Sequence, residues 1–352
     1  MHIYLHIPFC ESKCPYCAFA SFVDKNSQIK DYFGALKLDL KHQLNLYNPN
    51  NDKKIKTLYI GGGTPSYVNA KFYEDIISFL SPCFDNQIEF SVEANPSSLN
   101  ASWLKTMKSF GVNRLSIGVQ SFDDEKLRFL KRIHSSKIAK DKISLAKQYI
   151  DDISIDLIYA TKFDTKEFLK KELNNLPDEI NHLSAYTLIL EENTPFFGKK
   201  SYQKTSIKNI EFFIKSLKDM GFMQYEISNF TKTKPSFHNK AYWQGKDYIG
   251  AGFGAVGFMK DKRFYHKNDL DFYIKNPTEK KVEKLNKDDL FLEKLFLGFR
   301  SDVGVKLEIF NKQQKERIKI LEKENKIYIK NQTVFNNNFL LADEIAIFLA
   351  NF

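Results

Sequence analysis

Long apolar runs are missing from this chain of 352 residues. The longest, such as Ile345 to Leu349, fall far short of the roughly 20 residues that a membrane-spanning helix needs. No basic segment followed by an apolar core precedes Cys10, so the N-terminus does not read as a secretory signal. Cysteine is scarce, at 4 residues, which excludes a disulfide scaffold. Internal repeats, low-complexity tracts and long basic blocks are also lacking. The net charge of +10 comes from dispersed lysines in a Lys-, Asn-, Phe- and Ile-rich composition. That pattern suits general compositional bias or an anionic small ligand, and no nucleic-acid partner is expected. What remains is a chain with 43% hydrophobic residues, enough for a sizeable core and about two domains.

The scarce cysteines are concentrated. Cys10, Cys14 and Cys17 fall in the string HIPFCESKCPYC. Thiolates at this spacing can converge on one soft metal centre. A 4Fe–4S cluster normally takes four cysteines, so a three-cysteine loop leaves one iron open. The spacing alone leaves other readings standing. Zinc could be completed by His6 or His2, although the chain has no second knuckle. Cys83, in the apolar FLSPCF stretch, reads as a core cysteine and remains a conceivable fourth ligand. A cluster implies a reducing, cytoplasmic setting.

The first two-thirds alternates short apolar strands with amphipathic helices. Strands are expected at Ile3–Ile7, Thr57–Ile60, Glu89–Val92, Arg114–Val119, Ile153–Ile158 and His182–Leu188. Helices between them include Ser27–Leu46, Ala101–Phe110 (stopped by Gly111) and Thr165–Leu176 (stopped before Pro177). Successive βα units argue for an α/β fold with right-handed crossovers, and polar residues recur where each strand finishes. A barrel gathers such positions on one rim. The expectation is a partial (β/α)6 barrel over residues 1–190, a barrel-extending segment over 191–279, and a small α+β winged-helix-like domain over 280–352.

An open iron can accept the amino and carboxylate groups of S-adenosylmethionine (SAM), and a reduced cluster can cleave its carbon–sulfur bond to a radical. Tyr16, between two cysteines, would shield the cluster. Gly62 and Gly63 let backbone approach a ligand. Glu93, Gln120, Arg132 and Asp156 end successive strands or follow them and supply polar recognition groups. The string HNKAYW at 238–243 reads as a loop with aromatic anchors and carries a potential haem ligand. The run IGAGFGAVGF at 249–258 reads as a close-packing turn, since it lacks the strand-to-helix context of a dinucleotide motif.

Together HIPFCESKCPYC, YIGGGTP, SVEANP, RLSIGVQSF, SIDLIYA and HNKAYW resemble the radical SAM superfamily. Within it they are similar to the oxygen-independent coproporphyrinogen III oxidases and the HemW-type haem chaperones. The resemblance covers essentially the whole chain. It implies that Cys10, Cys14 and Cys17 hold the cluster. Tyr4, Tyr16, Gly62, Gly63, Thr64 and Glu93 match contacts to a first SAM. Gln120, Arg132 and Asp156 match contacts to a second one in the oxidases. His238, Asn239, Tyr242 and Trp243 match a signature associated with haem handling. The oxidases carry a further cysteine where this chain has Phe19, and a long segment before the triplet. Both differences favour the chaperone branch, whose usual Asp-Phe is here Ala18-Phe19. The expected partners are haem and an acceptor haemoprotein. Radical enzymology, peripheral membrane contact and oligomeric state are left open.

Overall fold

In β1 (His2–Ile7), Ile3, Leu5 and Ile7 are fully buried while His2, Tyr4 and His6 take the opposite face, as the pleat of a strand dictates. The computed structural model, which describes residues 1–50 and 52–350, repeats this pattern through α1 (Ile29–Tyr47), β2 (Ile55–Gly62), α2 (Glu74–Leu80), β3 (Phe84–Ala94), α3 (Ala101–Ser109), β4 (Arg114–Gln120), α4 (Asp124–Phe129), α5 (Ser136–Lys147), β5 (Asp152–Tyr159), α6 (Lys166–Leu173) and β6 (His182–Thr187). The six strands pair in parallel and in chain order. Helix α1 turns Leu36, Leu40 and Leu44 into the same core. Gly111 ends α3 with φ of +98°, the left-handed conformation that glycine adopts without strain.

The sheet continues beyond the six units. After α7 (Ile207–Asp219), β7 (Met223–Gln224) and β8 (Asn229–Thr231) extend it antiparallel beside β6. After α8 (Phe237–Trp243), β9 (Ile249–Ala251) joins the other edge, parallel to β1. The two ends of this nine-stranded sheet, β7 and β9, are not hydrogen-bonded to each other, so the barrel is partial, as expected.

Two expectations are corrected here. HNKAYW is a helix, capped by Ser236 and by the Glu89 carboxylate, which accepts from the backbone N–H groups of Phe237 at 2.7 Å and His238 at 2.9 Å. A carboxylate at a helix N-terminus satisfies unpaired donors and complements the dipole. The glycine-rich run is more than a turn. It supplies β9, then reverses into β10 (Val256–Met259). A Cβ at Gly250 would overlap the Val256 carbonyl, and Gly252, at φ +100°, lies against His6 and Tyr32.

β10, β11 (Lys262–Tyr265) and, after α9 (Leu270–Lys275), β12 (Lys281–Lys284) form a separate antiparallel sheet. β12 therefore pairs back with the middle segment across position 280. The C-terminal unit follows as α10 (Lys287–Phe299), β13 (Val305–Lys306), α11 (Lys312–Lys323), β14 (Ile327–Lys330), β15 (Thr333–Asn336) and α12 (Ala342–Ala350). It has its own core around Leu295, Phe299, Ile318, Val334, Ile345 and Leu349. Capping boxes start α10 (Asn286 with Asp289) and α11 (Asn311 with Gln314). It docks beside α8: Lys240 pairs with Asp302 at 2.9 Å, and Ile227 N–H donates to the Arg300 carbonyl at 2.9 Å.

Candidate functional site

The barrel interior is polar where a packed barrel would carry branched aliphatics. Ser116 donates to Asp156 at 3.2 Å, Ser154 and His182 are 2.7 Å apart, and Arg114 stands 3.9 Å from Asp152. At the C-terminal ends of the strands this interior opens into a cavity of about 390 Å³. Cys10, Cys14 and Cys17 line it together with Tyr16, Gly62, Gly63, Thr64, Glu93, Gln120, Arg132 and Asp156. Residues distant in the chain thus meet because each sits on or just beyond a strand end.

The cysteine loop is held by the backbone of strand two. Gly63 N–H donates to the Ile7 carbonyl and Thr64 N–H to the Phe9 carbonyl, both at 2.8 Å. A Cβ at Gly63 would sit 2.8 Å from the Phe9 carbonyl oxygen and 3.0 Å from Cys10 Sγ, so glycine is required for the close approach. Thr64 Oγ1 donates to Cys10 Sγ at 3.4 Å, and Arg132 Nη1 to Cys14 Sγ at 3.4 Å.

The triplet fits a cluster by its chemistry. All three cysteines are free and share one cavity. Among the described residues, no three His, Cys, Asp or Glu side chains already stand in metal-ligand geometry. His6 has both ring nitrogens engaged, by Tyr4 at 3.0 Å and the Ala20 carbonyl at 2.7 Å, which leaves it no lone pair for zinc. Cys83 is buried after α2 and does not line the cavity.

Glu93 accepts from Tyr59 Oη at 2.8 Å and from Gly62 N–H at 3.0 Å. Burial, and then the nearby Asp156 charge, push its carboxyl up to about 7. Burial raises Asp156 to about 6 against the opposing hydrogen bonds of Ser184 and Ser116. Two carboxyls poised near neutrality in one cavity mark a place where cationic or hydroxyl groups are received. Arg132 Nη2 donates to Asn95 Oδ1 at 2.8 Å and to the Gly118 carbonyl at 2.7 Å, while its buried Nε has no partner among the described residues. That orphaned donor is the kind of group a ligand carboxylate satisfies. Gln120 adopts φ of +70° at an irregularity in the β4–β5 pairing, which re-aims the strand end.

Tyr4 is not among the cavity's lining residues. It hydrogen-bonds His6 and packs 6.1 Å from Tyr59 inside the barrel. Asn95 and Tyr59 were missed by sequence reasoning. Asn95 joins Arg132 to Thr64, its Nδ2 donating at 3.0 Å, and Tyr59 steadies Glu93. The signal for Tyr59 was present, because it precedes Gly61 by the strand period of two.

The HNKAYW residues lie at the opposite, N-terminal end of the barrel. His238 is 2% exposed. Its Nδ1 is 2.8 Å from Thr57 Oγ1, its ring stacks on Tyr59 at 5.0 Å, and its Nε2 is buried without a partner among the described residues. Burial drives its pKa down to about 3. Tyr242 packs against both His238 and Tyr248 at ring distances of 4.7 and 4.2 Å, while Asn239 and Trp243 are half-buried on the same helix. The structure does not bring this group to the cysteine cavity.

Comparison with known proteins is consistent with this geometry. The radical SAM superfamily matches residues 4–173. The chain is similar to the haem chaperone HemW of Lactococcus lactis, 32% identical with 95% of this chain and 90% of that protein covered. It is similar to HemW of Bacillus subtilis at 33% identity, with 87% and 85% covered. In fold it resembles the radical SAM enzyme coproporphyrinogen III oxidase from Escherichia coli, with a TM-score of 0.82, 20% identity, and 99% and 89% of the two chains covered. Among the described residues no helix is long and apolar enough to cross a membrane.

Proposed function

The chain belongs to the radical SAM superfamily and within it to the HemW haem chaperones, and from that membership we propose that it is a cytoplasmic protein that binds haem and passes it to an acceptor haemoprotein. The observation that carries this reading is near full-length similarity to haem chaperones combined with a complete cysteine loop at the mouth of the barrel.

On this reading Cys10, Cys14 and Cys17 hold a 4Fe–4S cluster whose open iron would anchor SAM by its amino and carboxylate groups and supply single electrons. The protein's own part is positioning. Arg132 offers its unpaired Nε to the carboxylate. Glu93 and Asp156 offer acceptors to the N–H groups of the amine and to ribose hydroxyls. Gly62 and Gly63 keep side chains out of the ligand's path, and Tyr16, packed 6.4 Å from Phe196, covers the loop against water. Phe19, 69% exposed on the cavity rim, stands where the oxidases are expected to carry a further cysteine.

The test is direct. Anaerobically reconstituted protein is mixed with haem, the Soret band is followed, and the loaded protein is then offered to a haem-free acceptor. Binding followed by transfer supports the reading. An unaltered Soret band, or conversion of coproporphyrinogen to protoporphyrinogen with SAM and a reductant, defeats it.

A further inference from the structure

A second cavity, of about 790 Å³, lies at the N-terminal end of the barrel. Its volume is in the range of cofactor and ligand pockets, roughly 300–1,000 Å³. It sits between the end of α1, the start of β1 and β2, and the β10–β11–β12 sheet. Leu46, Tyr47, Phe264 and Val282 give it an apolar wall, with Leu46 and Val282 left 59% and 52% exposed. Around that wall stand Lys53, Lys54, Lys56, Lys260 and Lys262, against only Asp247 and Asp261. Among the described residues, none of the salt bridges engages any of these five lysines. Lys53 and Lys54 donate to the Tyr47 and Pro82 carbonyls at 3.2 and 3.1 Å, which leaves their charge uncompensated, and an apolar face ringed by cations without carboxylate partners suits a flat apolar ligand with an anionic edge.

His2 lines the same cavity. Its Nδ1 is 2.9 Å from Thr57 Oγ1, and that hydroxyl is 2.8 Å from His238 Nδ1. A single hydroxyl thus joins the two imidazoles, fixing the ring of His2 through one nitrogen and leaving Nε2 for a ligand. Metal-binding histidines are held in this way by a partner on the other ring nitrogen. The arrangement assigns a task to His238 that its burial allows, since it cannot reach a bound ligand itself but can orient the residue that does.

We propose that this lysine-walled cavity is where haem docks, with its ring on Tyr47, Phe264 and Val282, its propionates among the lysines and its iron facing His2, which His238 positions through Thr57. The proposal rests on the haem-binding reading above and locates it. It puts the haem site on the far side of the barrel from the cysteines, roughly 16 Å away along β1 alone at ~3.3 Å per residue.

Haemin is titrated into full-length, cluster-reconstituted protein while the Soret band and the low-spin iron resonance are followed. Three variants are compared: Lys56→Glu/Lys262→Glu, His2→Ala, and a control reversing two exposed lysines of α3, Lys105→Glu/Lys108→Glu. The cavity double variant is expected to bind roughly tenfold or more weakly, the control within twofold of wild type. His2→Ala should lose the wild-type axial-ligand signature. Cluster content and SAM affinity should be unchanged in all three. Wild-type affinity and spectrum in both cavity variants, or an equal loss in the control, would overturn the location while leaving haem binding intact. A wild-type protein that leaves the Soret band untouched would overturn both.

Discussion

Replacing Glu93 by Gln should make the ligand-free protein more stable at alkaline pH while it binds SAM less well. The carboxyl titrates near 4.5 in an exposed chain and is pushed up to about 7 in the fold, by burial first and by Asp156 second. Below pH ~4.5 both states are protonated and the group contributes nothing to the difference. Between ~4.5 and ~7 the unfolded chain ionises first, so the native state loses stability as pH rises, and above ~7 the full penalty applies. Carrying the carboxyl that far amounts to ~3 kcal/mol. Glu93 opens on a cavity, so screening reduces this to about 1–2 kcal/mol. The amide keeps one acceptor for Tyr59 or Gly62 and forfeits the other bond, worth about 1 kcal/mol.

The melting temperature of Glu93→Gln should therefore lie below that of wild type at pH 5 and at or above it at pH 8.5. Calorimetry of the cluster-free protein across this range reads the crossover. SAM affinity should fall about tenfold at pH 8, where the lost charge matters most. A pH-independent offset between the two melting curves would refute the assignment, because it would make Glu93 an ordinary hydrogen-bonding residue.

Arg132→Lys keeps the charge but loses the planar fork that reaches Asn95 and the Gly118 carbonyl at once; SAM affinity measured by calorimetry should drop roughly ten- to a hundredfold. Lys126 is fully buried between Asp164 and Glu172, 2.9 Å from each, so Lys126→Met strands two carboxylates and should cost about 3–5 kcal/mol in thermal unfolding; a loss under 1 kcal/mol would contradict its burial. The His238 imidazole should stay neutral from pH 8 to about 4 in an NMR titration, since burial holds its pKa near 3. As the unfolded chain takes that proton first, stability should drop as pH falls below ~6.5, and a ring that titrates near 6.5 would mean the floor of the barrel is wet.

Much of the cysteine site was legible because its residues obey local rules. Three thiols, a glycine run and polar strand ends can be found by spacing and period alone, and the parallel winding then brings them onto one rim. Long-range contacts were not legible. Glu89 caps α8 across 148 residues, and nothing near either element shows it, so HNKAYW read as a loop. A seven-residue helix has little propensity of its own and exists because the Glu89 carboxylate and the C-terminal unit hold it. Lys126, on the short helix α4, is the centre of a buried network that Ser121 and Thr161 complete, and no local pattern in the chain marks it as buried. The dispersed lysines likewise formed no block in the chain, yet five of them surround one cavity.

Strand β2 makes the two ends of the barrel separable by experiment. Thr57 faces the floor and bonds His238. Two residues on, Tyr59 stacks on the same imidazole at 5.0 Å while its hydroxyl donates to Glu93 at 2.8 Å. Tyr59→Phe leaves the stack and removes only the donor. Glu93 then keeps a single hydrogen bond, from Gly62, and its carboxyl should rise further, because that lost bond had favoured the charged form. SAM affinity at pH 7 should fall severalfold and recover as pH is raised to 8.5, while the haem Soret band stays at its wild-type position. Tyr59→Ala opens a void against His238 as well, so both ligands should suffer. If Tyr59→Phe shifts the haem spectrum, the floor and the mouth of the barrel are one coupled site, and the separation drawn from the positions of His238 and the cysteines fails.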